Sequence, residues 1–264
     1  MSIYLTEVHK AFGPKEVLKG FSMSIEDGET AAIVGPSGIG KSVLLKHVVG
    51  LLRPDAGSVV VDGVSVPELD RKGLDRLRRR IGYVFQFAAL FDSMSIAENV
   101  GMGLRRIPGW DRRRIEDRVD DCLALVELAG MGDRYPAELS GGQRKRAGLA
   151  RAIAPEPKFL LYDEPTTGLD PVTTSAIDRL ILRMRDELGV TGLVVTHDMT
   201  SAFRVADRIT LLHDGRARFS GTPAEVKAAT DPVLKGFVEG DPDLYYRDGW
   251  RRGGMHAGGQ DHGA

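Results

Sequence analysis

Residues Gly35-Pro36-Ser37-Gly38-Ile39-Gly40-Lys41-Ser42 spell G-x-x-x-x-G-K-[ST] between an apolar run, Thr30–Val34, and a helix expected to begin near Lys41. No other feature restricts the fold as tightly. Such a loop works only where a buried strand delivers the backbone and a helix carries it away. Its three glycines let successive N–H groups turn inward toward phosphate oxygens, and the helix adds the positive end of its dipole. Lys41 is placed to reach the β- and γ-phosphates of a nucleotide, and the Ser42 hydroxyl to ligate Mg²⁺. With Val43 following, this stretch is the predicted nucleotide cradle. A plain Gly-rich turn with an exposed lysine has the same residues, so the reading depends on what lies downstream.

From Ile3 to Ala229, strand-like and helix-like segments alternate, as in an α/β layered domain. Strands are expected over Ile3–Val8, Val17–Ile25, Thr30–Val34, Val59–Val61, Ile81–Phe85, Phe159–Tyr162 and Leu193–Val195. Arg208–His213 and Arg216–Ser220 flank Asp214-Gly215, a hairpin signal. The stretch from Ser95 to Ala154 reads as mostly helical, with Ile115, Val119, Cys122, Leu123 and Val126 at helical spacing on one core face. Thr222-Pro223 opens what reads as the last short helix. Lys+Arg and Asp+Glu number 36 and 37, without the basic excess of a nucleic-acid binder. One cysteine, Cys122, excludes an internal disulfide. The first ten residues hold no signal-peptide core, and no apolar run approaches the roughly 18 residues of a spanning helix. A soluble chain is expected.

Phe159-Leu160-Leu161-Tyr162-Asp163-Glu164 is an apolar strand ending in two carboxylates. Asp163 would hold Mg²⁺ opposite Ser42, and Glu164 is placed to polarise an attacking water as general base. Leu139-Ser140-Gly141-Gly142-Gln143 precedes a helix expected over Arg144–Ala154. A hydroxyl, two glycines and a helix N-terminus make a second anion site, although Ser-Gly-Gly alone is a common cap.

Together these motifs resemble the ATP-binding-cassette (ABC) ATPases, over roughly residues 1–240. The resemblance implies an α/β phosphate-binding-loop fold with a mixed sheet core, an antiparallel β subdomain and a helical signature subdomain at about 88–155. It also implies that the signature Ser140–Gln143 of one subunit closes over the ATP held by the cradle of another, in a head-to-tail dimer with two Mg²⁺-ATP. Phe12 matches the aromatic that stacks on adenine, where the family more often has Tyr. Gln86 matches the glutamine that senses Mg²⁺ and the attacking water. Gly168-Leu169-Asp170 matches the loop through which the subunits communicate, and His197 the switch histidine at the γ-phosphate. Glu164, His197 and Gln86 would be the catalytic set, and Ser42, Gln86 and Asp163 the metal set.

The output would drive separate integral-membrane permease subunits from the cytoplasmic face of the inner membrane. The apolar run Phe87-Ala88-Ala89-Leu90-Phe91-Asp92-Ser93-Met94 is the expected docking surface, unless Leu90 and Phe91 pack inward. Residues 38–47 and 85–100, with Asp92 where many importers have Pro, and Gly236–Gly240 resemble ATPases of Mla-type and other MCE-associated lipid transporters. Phospholipid cargo, an MCE partner and a small STAS-type subunit would follow. The alternative is an amino-acid or other small-solute importer, which shares every ATPase motif; a soluble Fe–S-assembly ATPase is a weaker one. Arg78–Arg80 and Arg112–Arg114 read as solvated faces or headgroup contacts, and Arg144–Arg146 as steering for ATP or balance for nearby acids. From Asp241 the composition predicts a flexible or partner-ordered tail, 241–264, whose Tyr245, Tyr246 and Trp250 would wrap onto the neighbouring ATPase.

Overall fold

A computed structural model describes residues 2–247. The chain divides into two compact units, 1–227 and 228–264. In the first, β1 (Ile3–Phe12) and β2 (Lys15–Ile25) form an antiparallel hairpin. The fully buried β3 (Thr30–Val34) runs into the glycine loop, and α1 (Lys41–Val48) leaves it. β4 (Ala56–Val61) and β5 (Val64–Ser65) join β1, giving an antiparallel sheet in the order β2-β1-β4-β5. Beyond α2 (Arg71–Arg79) and β6 (Ile81–Val84), the chain makes α3 (Ile96–Gly101), α4 (Arg112–Leu125) and α5 (Gly141–Ile153). It then alternates through β7 (Phe159–Asp163), α6 (Pro171–Leu188), β8 (Thr191–Thr196) and α7 (Met199–Val205). The hairpin β9 (Arg208–His213) and β10 (Arg216–Gly221), then α8 (Pro223–Ala228), complete it.

The second sheet is mixed, in the order β10-β9-β3-β8-β7-β6, with only β10 antiparallel to its neighbour. Its buried central strands read as continuous apolar runs because helices cover both faces of a parallel sheet. One core joins the two sheets: Ile3, Leu5 and Phe21 meet Ile33, Phe159, Leu161 and Leu193 around Leu44 and Leu45 of α1. Register levels the strand ends, with Val34 beside Thr196 and Asp163 beside Val195. The segments that follow β3, β7 and β8 therefore open onto one crevice, where ligands of α/β sheets gather.

Several boundaries differ from the sequence expectation. β1 continues to Phe12 because register shifts after Leu5, Val8 and Lys10 absorb the breaks in its two-residue period. α5 starts at Gly141 rather than Arg144: Ser140 is its N-cap, and both signature glycines lie in its first turn. The core face of α4 forms as expected, with Val119, Cys122 and Leu123 buried and burial holding the Cys122 thiol up at about 11. α8 is not the last helix.

The second unit contains α9 (Pro232–Glu239), capped by Asp231, and α10 (Pro242–Tyr245), capped by Asp241. The Phe237 and Tyr245 rings lie 5.8 Å apart between centroids. Residues 242–245, read from composition as tail, are thus helical. Trp250 and the glycine pairs beyond it lie outside the described residues.

Candidate active site

The cradle is held open by two glycines whose neighbours leave no room for a side chain. At Gly35, φ 152°, a Cβ would stand 2.8 Å from the Leu212 carbonyl, and at Gly40, φ 117°, 2.6 Å from Val17 Cγ1. Lys41 then turns inward and is buried. Its Nζ donates to the carbonyls of Gly35 (2.7 Å) and Pro36 (3.1 Å) and lies 3.1 Å from Glu164 Oε1. Burial pulls the Lys41 pKa down, and the Glu164 charge opposes that pull. Ile39 packs its side chain on the core and supplies the loop only through its backbone.

Asp163 and Glu164 point to different partners, as successive residues leaving a strand must. Ser42 Oγ donates to Asp163 Oδ1 at 2.7 Å, and Tyr83 OH to Oδ2 at 2.9 Å. Burial and the Asp163 charge raise the Tyr83 pKa far above the ordinary phenol range, so the hydroxyl stays a donor. A hydroxyl and a carboxylate so close are hard oxygen donors that fit Mg²⁺. Glu164 has a left-handed backbone, φ 50°, and is buried. Oε2 accepts from His197 Nδ1 (2.7 Å) and Thr167 Oγ1 (3.1 Å), while Oε1 faces Lys41. Both groups expected to meet a phosphate, Lys41 and His197, thus hold Glu164 instead. An entering phosphate would compete with that carboxylate for them.

Lys41, Ser42, Glu164 and His197 border a cavity of about 430 Å³, with Asp163 and Tyr83 behind its lining. Ser37, Gly38, Gly40, Lys41, Ser42 and Val43 line it, with Gln86, Glu164 and His197, and with half-exposed Phe12. Lys15, Val17 and Thr167 also line it and were not read from sequence, nor was Tyr83. Their signal is distance in space, not spacing in the chain.

Ser140, Gly141, Gly142, Gln143 and Asp170 do not line this cavity. Ser140 Oγ accepts from Gln143 N–H (3.3 Å), and Gln143 Oε1 from Ser140 N–H (2.9 Å), a reciprocal cap. A Cβ at Gly142 would meet Thr173 Cγ2 at 2.5 Å, so α5 packs directly on the start of α6. Asp170 caps α6, and the Thr173 hydroxyl and N–H hold its carboxyl below the usual range. Ser140 and Gly141 stay exposed. The two stretches expected to bind anions, the cradle and Ser140–Gln143, therefore do not line one cavity within the chain.

The apolar run after Gln86 is exposed at Phe87 (84%) and Phe91 (50%), so Phe91 does not pack inward. Two groups that sequence reasoning missed, half-buried Arg151 and buried Asn99, hold this turn. Arg151 donates to the carbonyls of Ala88 (2.7 Å) and Ala89 (2.6 Å), both residues in left-handed conformations. Asn99, fully buried, accepts from Phe91 N–H (2.7 Å) and donates toward the carbonyls of Phe91, Met94 and Ser95. Asn99→Ala strands those groups and should cost about 2–4 kcal/mol, at 1–3 kcal/mol per buried orphan. Chemical denaturation would read it as a lower midpoint, with added protease cleavage at 87–94.

The basic runs are mostly internal ties. Arg78 donates to the carbonyls of Val49 and Gly50 at the end of α1, and Arg80 pairs with Asp62. Arg112 pairs with Glu116 and Arg146 with Glu127.

A glycine cradle at the end of a buried parallel strand, with an oxygen pair for Mg²⁺ and a carboxylate held by lysine and histidine, defines a nucleotide-hydrolysing protein of the phosphate-binding-loop class. The family profile described as ABC transporter matches residues 18–167, and the chain belongs to that family. It is 43% identical over 242 residues to the sulfate/thiosulfate import ATP-binding protein CysA of Caulobacter vibrioides, across 90% of this chain and 70% of that one. It is 41% identical over 257 residues to protein TRIGALACTOSYLDIACYLGLYCEROL 3, chloroplastic, of Arabidopsis thaliana, across 90% and 73%. A solved dimeric post-hydrolysis state of the ATP-binding cassette MJ0796, bound to ADP and Pi, has a TM-score of 0.77 at 34% identity, covering 84% of this chain and 98% of that one. ATP with Mg²⁺ is the cofactor pair, and the chain is an ATPase. The names of these relatives do not carry the expected Mla or MCE assignment. No helix among the described residues is long and apolar enough to cross a membrane.

Proposed function

We propose that the chain is the ATP-hydrolysing subunit of a membrane transporter, acting as a head-to-tail dimer at the cytoplasmic face of the membrane. The observation that carries this is the separation of the two anion sites. Ser140 and Gly141 stand exposed at a helix N-terminus, while the cradle of the same chain opens elsewhere, so a second copy must complete each site. The MJ0796 relative is described as dimeric and bound to ADP and Pi, which supports a dimer as the working unit. In each site Lys41, His197, the partner's signature and backbone amides would bind phosphate oxygens, and Glu164 would orient the water. Ser42 and Asp163, with Gln86 nearby, would hold Mg²⁺, which would supply charge neutralisation at the phosphates. Phe12 would stack on the base, and Asp170 would face the partner. Release of phosphate would let the dimer open, and the Phe87–Met94 turn would pass that motion to a permease.

Two cargo readings have support, and the names weigh toward the first. Relatives called sulfate/thiosulfate import proteins favour a small-solute importer. The second is lipid, with an MCE protein and a STAS-type subunit as partners; it rests on the 85–100 stretch and on the Arabidopsis relative that bears a galactolipid's name. Affinity capture of the tagged full chain from detergent-solubilised native membranes tests both levels. A permease with a solute-binding protein supports the first reading; a permease with an MCE protein and enriched phospholipid supports the second. Capture without any multi-pass membrane protein overturns the transporter assignment.

A further inference from the structure

Lys145, Gly148 and Arg151 occupy positions i, i+3 and i+6 of α5 and form one slanting row along it. Each touches the site or the turn that leads from it. Arg151 holds the carbonyls of Ala88 and Ala89. Gly148 has Ala88 so close that a Cβ would lie 3.1 Å from its side chain and 3.2 Å from its Cα. Lys145 is only 8% exposed, and its Nζ donates to the backbone carbonyl of Glu164 at 3.3 Å.

A lysine on a helix surface can ordinarily reach water, and burying one costs free energy unless it is paired. Here burial drags the Lys145 pKa down while the Glu164 charge pulls it back up. The residue it holds has the left-handed backbone, a conformation that costs about 1–3 kcal/mol in a non-glycine residue unless its surroundings impose it. Lys41, His197 and Thr167 grip the carboxylate; Lys145 grips the main chain behind it.

We infer that Lys145 is a positioning residue for ATP hydrolysis, fixing the Glu164 carbonyl and thereby where that carboxylate stands. The inference rests on the reading of Glu164 as general base. It makes α5 a rigid link between three points: Ser140 at its cap, Glu164 through Lys145, and the 88–89 turn through Arg151. A shift of the signature helix or of the turn would reach the base through this one ammonium group.

The test compares steady-state hydrolysis and equilibrium Mg²⁺-ATP binding by the full chain. Lys145→Met should lower kcat about tenfold, or about 1.4 kcal/mol, with KM and ATP affinity within about twofold of wild type. Lys145→Arg, which keeps a cationic donor, should recover most of that loss. If the Met variant fails to fold, seen as lost ATP binding, Lys145→Gln carries the test with the same expected split. A kcat within about twofold of wild type in the neutral variants overturns the proposal. So does a parallel loss of kcat and affinity that Arg does not relieve. Failure of the underlying reading would show separately, as a Glu164→Gln chain that still turns over.

Discussion

Glu164→Gln is expected to bind Mg²⁺-ATP as wild type does while losing turnover by about 10²–10⁴-fold, the usual contribution of a positioned general base. The side chain keeps its size, and an amide oxygen can still accept from Thr167 Oγ1 and His197 Nδ1, which now meet Glu164 Oε2. What disappears is the capacity to take a proton. The charge facing Lys41 disappears with it, which frees the lysine for phosphate. The variant should therefore hold ATP at least as tightly and accumulate as a closed dimer. Single-turnover hydrolysis alongside ATP binding checks this; near wild-type turnover would show that another group is the base.

Lys41→Ala should abolish ATP binding at working concentrations. A hydrogen bond to a charged group is worth about 1.5–3 kcal/mol, so losing contacts to two phosphates costs about 3–6 kcal/mol, more than a hundredfold in affinity. A second effect adds to it. Lys41 is the cation against Glu164 Oε1 at the cavity wall, and without it an arriving phosphate meets an uncompensated carboxylate. The double variant Lys41→Ala, Glu164→Gln should accordingly bind ATP better than Lys41→Ala alone. Isothermal titration with Mg²⁺-ATP measures both, and equal affinity in the two chains would show that this repulsion plays no part.

The parts of the site that were legible in sequence are those whose chemistry is contiguous. The cradle spans eight residues and follows an unbroken buried strand, and Asp163-Glu164 ends another, so pattern and motif point to the same place. The α/β layering followed from the alternation of strands and helices, and the mixed sheet from the resemblance to ABC ATPases. Residues that belong to no motif and reach the site only through the fold were not legible. Tyr83 meets Asp163 eighty positions away, Arg151 meets Ala88 across sixty-three, and Lys145 reaches Glu164 from the far side of a strand. Each looks like an ordinary tyrosine, arginine or lysine until the fold brings it in. The start of α5 was misplaced because Gly141 and Gly142 argue against a helix by propensity, whereas the Ser140–Gln143 cap and the close packing on Thr173 favour one there. The cargo was beyond the site's reach altogether, because ATP chemistry is the same whichever solute the permease carries.

The central claim is that each ATP lies between Lys41 of one chain and Ser140 of another. Light scattering on the Glu164→Gln chain after size-exclusion chromatography, with and without Mg²⁺-ATP, tests it most directly when repeated with Ser140→Arg added. The account predicts a doubling of mass on adding nucleotide to the single variant. The double variant should stay monomeric yet still bind ATP at Lys41. A double variant that dimerises as readily as the single one would contradict it.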